Sequence, residues 1–290
     1  MPSGRKLAAS GARSVSLAVP GASLHICEVG SGRSPPLVIV HGGPGEAHDV
    51  LRPHLDALSA IRRVVYYDQR GGGRSMLASR TPHAGVREHV ADLERIRVHL
   101  GGPLELLGFS WGALLAVLYA LEHPDRVARM VLVSPPPLRG LDQRQRERLA
   151  RAAERPSARA VLARIAGEAA NGGLESARRA ALAVRVVPCL FDPSAIFELT
   201  PVDVVPDAKE AAESSLRGVD VRAGLRSLRD LPCMIIRGRD DPICEDGELG
   251  GLLGASEAVL ADCGHAPFVE ARERFLDAVG AFLEAASPRG

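Results

Sequence analysis

At 290 residues the chain has room for one large domain or two ordinary ones, and enough length to bury a sizeable core. Hydrophobic residues at 46% and charged residues at 24% are globular values that exclude a disordered chain. The net charge of +1 offers no electrostatic case for a nucleic-acid or anionic-membrane partner.

The first half alternates short apolar runs with helical stretches. Runs at 15–19 and 24–28 flank Pro20-Gly21 and read as a hairpin. Continuous apolar runs follow at 37–40, 64–67, 104–107 and 130–133, each suited to an interior strand covered on both faces. Between them, 49–59, 85–100 and 111–123 have helical length and periodicity. This alternation predicts a doubly wound α/β sheet.

From Pro135-Pro136-Pro137 to about residue 225 no strand is predicted. The stretch 141–187 reads as several helices, broken at Pro156 and at Gly172-Gly173. Strand-helix alternation resumes at 233–237 and 258–261 and closes with a helix at 271–286. The expected organisation is therefore a core of residues 1–134 and 226–290, interrupted by a helical cap over 135–225. The cap is electrically lopsided, with eleven Arg against five acids in 139–185 and seven acids against Lys209 and Arg217 in 192–220. Solvated helix faces explain this most simply, and an acidic wall that holds a cationic substrate group is the functional alternative.

No apolar run has the length of a membrane span, and the basic N-terminus, with Lys6, lacks the apolar core of a signal peptide. The five cysteines are scattered, without a CxxC pair or zinc-ligand spacing. The expectation is a soluble cytoplasmic protein with reduced thiols, no metal and no organic cofactor. The sequence assigns no oligomeric state.

The chemistry concentrates at strand ends. Gly108-Phe109-Ser110-Trp111-Gly112 matches G-x-S-x-G, a pattern too short to be informative alone. Here it follows one predicted strand and opens a predicted helix. That tight turn lifts a serine oxygen above the sheet edge and needs glycine on both sides. A nucleophilic Ser110 needs a base, and the base an orienting acid. His265 lies in Asp262-Cys263-Gly264-His265-Ala266-Pro267 after the last predicted strand, where active-site groups gather. His123 ends the helix that Ser110 opens, about 18 Å away at 1.5 Å rise per residue. Asp240 and Asp241 both follow the strand at 233–237, and either can bond His265; Asp241 is favoured because it has cleared the strand end. Two N–H groups are needed for the oxyanion, and Trp111 and Gly43 of His41-Gly42-Gly43-Pro44-Gly45 are the candidates.

Together, His41-Gly42-Gly43-Pro44-Gly45, Asp68-Gln69-Arg70-Gly71-Gly72-Gly73-Arg74-Ser75 and Gly108-Phe109-Ser110-Trp111-Gly112-Ala113 resemble the signatures of the proline iminopeptidase branch of the α/β-hydrolase fold. The pattern Gly238-Arg239-Asp240-Asp241 and Cys263-Gly264-His265 is similar to the same group. The resemblance spans 36–134 and 231–285. It implies the α/β-hydrolase fold with an inserted helical cap and a Ser110–His265–Asp241 triad. It also implies a cis bond at Gly43-Pro44, and that Asp68-Gln69-Arg70 shapes the loop beneath the site. The implied activity is hydrolysis of an N-terminal aminoacyl amide, in a short peptide or an aminoacylated small molecule, through an acyl-enzyme. Phe109 replaces a glycine usual in the branch, and the substrate-binding residues are not placed by motif. Glu198, Glu210 and Glu213 are candidates to hold a substrate amine, and Phe191 and Phe197 are the only aromatic residues offered for a proline pocket. The alternatives are an esterase or lactonase for a hydrophobic acyl group, and a ligand receptor that keeps the fold without turnover.

Overall fold

The computed structural model describes residues 11–285 apart from 33–34, 79–83, 139–140, 218, 220 and 245–246. Lys6, Arg139, Asp220 and the last residue of the predicted C-terminal helix lie outside the described residues. Strands β1 (Arg13–Val19) and β2 (Ala22–Val29) form the expected antiparallel hairpin, with Val19 opposite Ala22. Then follow β3 (Leu37–Val40), β4 (Val64–Tyr67), the short β5 (Met76–Leu77), β6 (Leu104–Phe109), β7 (Val127–Val133), β8 (Cys233–Gly238) and β9 (Ser256–Leu260). The sheet order is β1-β2-β4-β3-β6-β7-β8-β9, with β5 beside β2. From β4 through β9 every pairing on that path is parallel.

The apolar runs become interior strands because both of their faces are covered. Leu37, Ile39, Leu107, Val131 and Ile236 point into one core, and Val38, Val40, Leu106, Leu132 and Ile235 into the other. Helices α1 (Val86–Leu100) and α2 (Trp111–Glu122) cover the second face. The first is covered by the C-terminal helix and by parts of the insertion.

The insertion lies between β7 and β8 and contains no strand among the described residues. Its helices are α3 (Gln143–Ala153), α4 (Pro156–Asn171), α5 (Leu174–Val186), α6 (Pro206–Ser215) and the short α7 (Arg222–Leu225). The breaks fall where the breakers stand. Pro156 occupies the first turn of α4, and α5 begins directly after Gly172-Gly173. Asp142 and Gln145 close a reciprocal capping box at the start of α3. After β8 come α8 (Glu248–Leu253), α9 (Pro267–Glu270) and α10 (Arg272–Glu284).

One predicted helix is different. The segment 49–59 forms two 3-10 turns, His48–Leu51 and Asp56–Ala60. Pro53 has no N–H to donate and holds Arg52 extended at φ −102°, ψ 146°, so the amphipathic pattern cannot continue as one helix. Among the described residues no helix is long and apolar enough to cross a membrane.

Candidate active site

Four strand ends deliver the chemistry to one place. Ser110 follows β6 directly and opens α2, at φ 51° and ψ −119°. A non-glycine residue held there costs on the order of 1–3 kcal/mol and persists only because its surroundings force it. Those surroundings are the flanking glycines. A Cβ on Gly108 would fall 2.4 Å from the Gly112 carbonyl oxygen, and one on Gly112 would fall 2.0 Å from the Val40 carbonyl oxygen. The glycine spacing read in the sequence is thus a packing requirement between β6, α2 and β3.

Asp241 follows β8 and His265 follows β9. The two turns pack against each other, with the Asp240 N–H donating to the Cys263 carbonyl at 2.9 Å. His265 Nδ1–H donates to Asp241 Oδ2 at 2.8 Å, since an ionised carboxylate can only accept. That tautomer leaves Nε2 free to accept from Ser110 Oγ, 3.0 Å away. Burial pushes the Asp241 carboxyl up, but the His265 ring and the N–H groups of Ile243 and Cys244 outweigh it and hold the pKa below the usual carboxylate range. Asp240, the alternative acid, is exposed and does not bond His265. The chain Ser110–His265–Asp241 can move a proton from the hydroxyl to the imidazole while the carboxylate fixes ring and tautomer.

The loop after β3 lies beside this chain. Burial lowers the His41 pKa to about 4, so the ring is neutral. Its Nδ1–H donates to the Gly42 carbonyl at 2.8 Å, and its Nε2 accepts the Gln69 N–H at 3.1 Å. Gln69 in turn donates from Nε2 to the His41 carbonyl and accepts at Oε1 from the Trp111 indole, both at 2.8 Å. One buried amide therefore ties the loop carrying Gly43 to the residue after Ser110. Arg70 is paired with Asp92 beneath, and the Asp68 carboxylate accepts from His48 and the Arg74 N–H. These bonds fix Asp68-Gln69-Arg70 to the His41 loop, to Trp111 and to α1. His48, Asp49 and Asp68 lie close enough to ligate one ion, but Arg74 already bonds both aspartates.

The expected cis bond at Gly43-Pro44 is not present; among the described residues the cis X-Pro bond is Arg52-Pro53. Glu46 N–H donates to the Gly43 carbonyl at 3.0 Å, and Gly45 sits at φ 79°. Pro44 is therefore the second residue of a turn closed from Gly43 to Glu46, with a positive-φ glycine third, a geometry served by a trans bond.

A cavity of about 690 Å³ opens over Ser110. Gly43, Trp111 and His265 line it together with Phe109, Phe268, Leu182, Leu199 and Leu216. Phe109 packs edge-on against Phe268 and tilts over His265, with centroids 5.0 and 5.2 Å apart. Of the three acidic candidates for an amine, only Glu213 reaches the wall; Glu198 and Glu210 are exposed elsewhere. An acid on a solvated helix face keeps its hydration, so nothing draws these two inward. Phe191 is exposed, and Phe197 lies under the guanidinium groups of Arg164 and Arg179, so neither supplies the aromatic wall. The buried carboxylate that does line the cavity is Glu46, paired with Arg185 at 2.6 Å. It directly follows the 41–45 motif, and that adjacency was the signal available in the sequence.

The sheet order, the strand-end turns and the helical insertion define an α/β hydrolase. The family model for the alpha/beta hydrolase fold matches residues 35–271, and the chain belongs to that family. A proline iminopeptidase of Clostridium botulinum is similar at 26% identity, over 87% of this chain and 91% of that protein. Two solved structures share the fold. A proline iminopeptidase-related protein of Thermus thermophilus has a TM-score of 0.73 at 24% identity, over 96% of this chain and 99% of its own. An enol-lactonase of Burkholderia xenovorans has a TM-score of 0.66 at 21% identity, over 93% and 100%.

Proposed function

We propose that the protein is a serine hydrolase that cleaves an N-terminal aminoacyl amide by two-step acyl transfer, with residues 135–225 as a cap over the site. The observation that carries the chemistry is the unbroken contact from Ser110 Oγ to His265 Nε2 and from His265 Nδ1 to Asp241. Ser110 Oγ bonds to the carbonyl carbon as its proton passes to His265 Nε2. The oxyanion is held by the N–H groups of Trp111 and Gly43, each worth on the order of 3 kcal/mol in the transition state. Trp111 is the first residue of α2, so its N–H has no partner one turn back. The carbon–nitrogen bond breaks and the amine leaves with the proton from His265. Water then attacks the acyl carbon, gives its proton to His265 and releases the acid and Ser110. The full-length similarity to an iminopeptidase supports the aminoacyl substrate.

A second reading, an esterase or lactonase for an acyl group without an amine, is favoured by one observation. The buried carboxylate of the cavity is already engaged by Arg185, which leaves it less able to take an ammonium group. Aminoacyl-arylamides, their N-acetylated forms and simple acyl esters separate the two when assayed with wild type and Ser110→Ala. Loss of turnover on N-acetylation is the expected result, indifference to it supports the esterase, and equal turnover by Ser110→Ala overturns the mechanism.

A further inference from the structure

The charges that face the cavity are not those the composition emphasises. The stretch 192–220 is acidic, yet its only two cations, Lys209 and Arg217, both line the cavity, together with Glu213 from the same stretch. From the Arg-rich α5 comes Arg185. The cavity wall therefore carries three cations against Glu46 and Glu213, and Glu213 sits 3.8 Å from Lys209 with its side chain largely in solvent.

Arg185 is incompletely used. A guanidinium has five N–H donors in a fixed fork. Its Nε donates to the Ala181 carbonyl at 3.4 Å and its Nη1 to Glu46 Oε1 at 2.6 Å. Its Nη2 is buried and has no hydrogen-bond partner among the described residues. A buried unpaired donor costs on the order of 1–3 kcal/mol, a cost that an acceptor brought by a ligand removes. Glu46 explains the placement. Its carboxylate packs so closely on Gly43 that a Cβ there would lie 2.3 Å from the carboxyl carbon. A bare negative charge beside an oxyanion site would oppose the reaction, and Arg185 neutralises it with one arm while the other arm is left without a partner among the described residues.

We propose that Arg185, assisted by Lys209 and Arg217, forms an anion subsite that binds a carboxylate carried by the substrate. The proposal rests on Ser110 as nucleophile only for its kinetic consequence, because the subsite binds whether or not the serine reacts. The carboxylate can sit on either side of the scissile bond, and two ester pairs distinguish the sides. The 4-nitrophenyl monoester of glutarate against 4-nitrophenyl valerate tests the acyl side. 4-Acetoxybenzoate against 4-acetoxybenzamide tests the leaving group.

In one pair the acid is expected to exceed its neutral partner by about 10-fold in kcat/KM, the scale of a charge-assisted hydrogen bond gained. Arg185→Lys keeps the charge on Glu46 but loses the second arm, and should bring that ratio close to one. Lys209→Met should lower it about 3-fold, an effect that shrinks with added salt. Equal rates for acid and neutral partner in both pairs overturn the proposal, as does a ratio unchanged in Arg185→Lys. Calorimetric titration of Ser110→Ala with the preferred acid and its neutral partner tests the subsite without turnover. Tighter binding of the acid supports the subsite and equal binding overturns it. Absent labelling of Ser110 by a fluorophosphonate would overturn the serine mechanism alone.

Discussion

The strand-end loops and the helical insertion handle charge in opposite ways. In the loops, Asp68, Asp241 and His265 are buried, and each is hydrogen-bonded to a named partner. In the insertion, Arg151, Arg159 and Arg164 are exposed, facing surface acids at 3.9, 3.7 and 2.9 Å. A buried polar group must be satisfied by the protein, so its partner cannot be exchanged cheaply. An exposed pair gives its place to water at little cost. The insertion follows the loops' rule at Arg185, whose partner Glu46 closes the Gly43–Glu46 turn. The division therefore follows burial against the cavity and only incidentally follows chain segment.

The sharpest way to break this contrast is to remove one buried partner while keeping its shape. Asp241→Asn can donate to His265 where the carboxylate could only accept, and so favours the wrong tautomer. We expect kcat/KM to fall about 10³- to 10⁴-fold with the fold intact by circular dichroism. A loss under tenfold would mean that Asp241 does not orient His265.

The buried groups of the core should also dominate acid sensitivity. Burial lowers His41 to about 4 and His89 to about 3, against 6.5 when unfolded. Each stays neutral in the folded state while the unfolded chain takes up a proton. Stability is thus complete above pH 6.5 and is lost as pH falls toward the folded values. Between pH 7 and pH 5 the loss should be on the order of 2 kcal/mol per histidine, read from urea midpoints. A flat profile across that range would show that these rings are not buried as neutral species.

Glu270 joins the two regions, so its removal should have an intermediate effect. One carboxylate oxygen accepts the N–H groups of Phe191 and Asp192, and the other those of Gly264 and Ala266. It fastens the His265 turn to the insertion without touching Ser110. In Glu270→Gln one oxygen becomes an NH2 group facing two N–H donors. We expect kcat to fall about 10-fold with KM little changed, and faster amide exchange at 189–192 and 263–266. A change in KM alone would assign Glu270 to substrate contact instead.

The same contrast explains what could be read from the sequence. That Ser110, His265 and an aspartate after β8 stand together was legible because strained turns and close glycine contacts restrict the residue types allowed there. The breaks at Pro156 and Gly172-Gly173 were legible for the same local reason. Choosing Asp241 over Asp240 needed the direction of each side chain, which the spacing alone leaves open. The cavity wall was illegible because Arg185, Lys209 and Leu182 meet Gly43 only through tertiary packing, while their neighbours on the same helices face water. Composition suggested solvated faces for the acidic half of the insertion, with a cation site as the alternative. The structure leaves Asp203, Asp207 and Glu210 exposed, as solvated faces should be.

The smallest effect gives the cleanest control on that contrast. Arg151 lies on the outer face of α3, with its side chain 71% exposed and 3.9 Å from Glu147. At that exposure the attraction between the two is screened and ordering the side chain costs entropy, so Arg151→Ala should change stability by less than about 0.5 kcal/mol. Arg155, one turn further on, behaves differently. Its Nη2 donates to the Leu190 carbonyl at 2.6 Å and its Nε to the Ala152 carbonyl at 3.0 Å, so the same substitution there should cost more than at Arg151. Chemical denaturation of the two variants side by side tests the rule within a single Arg-rich stretch. Equal losses would mean that fixed partners do not decide what an arginine contributes.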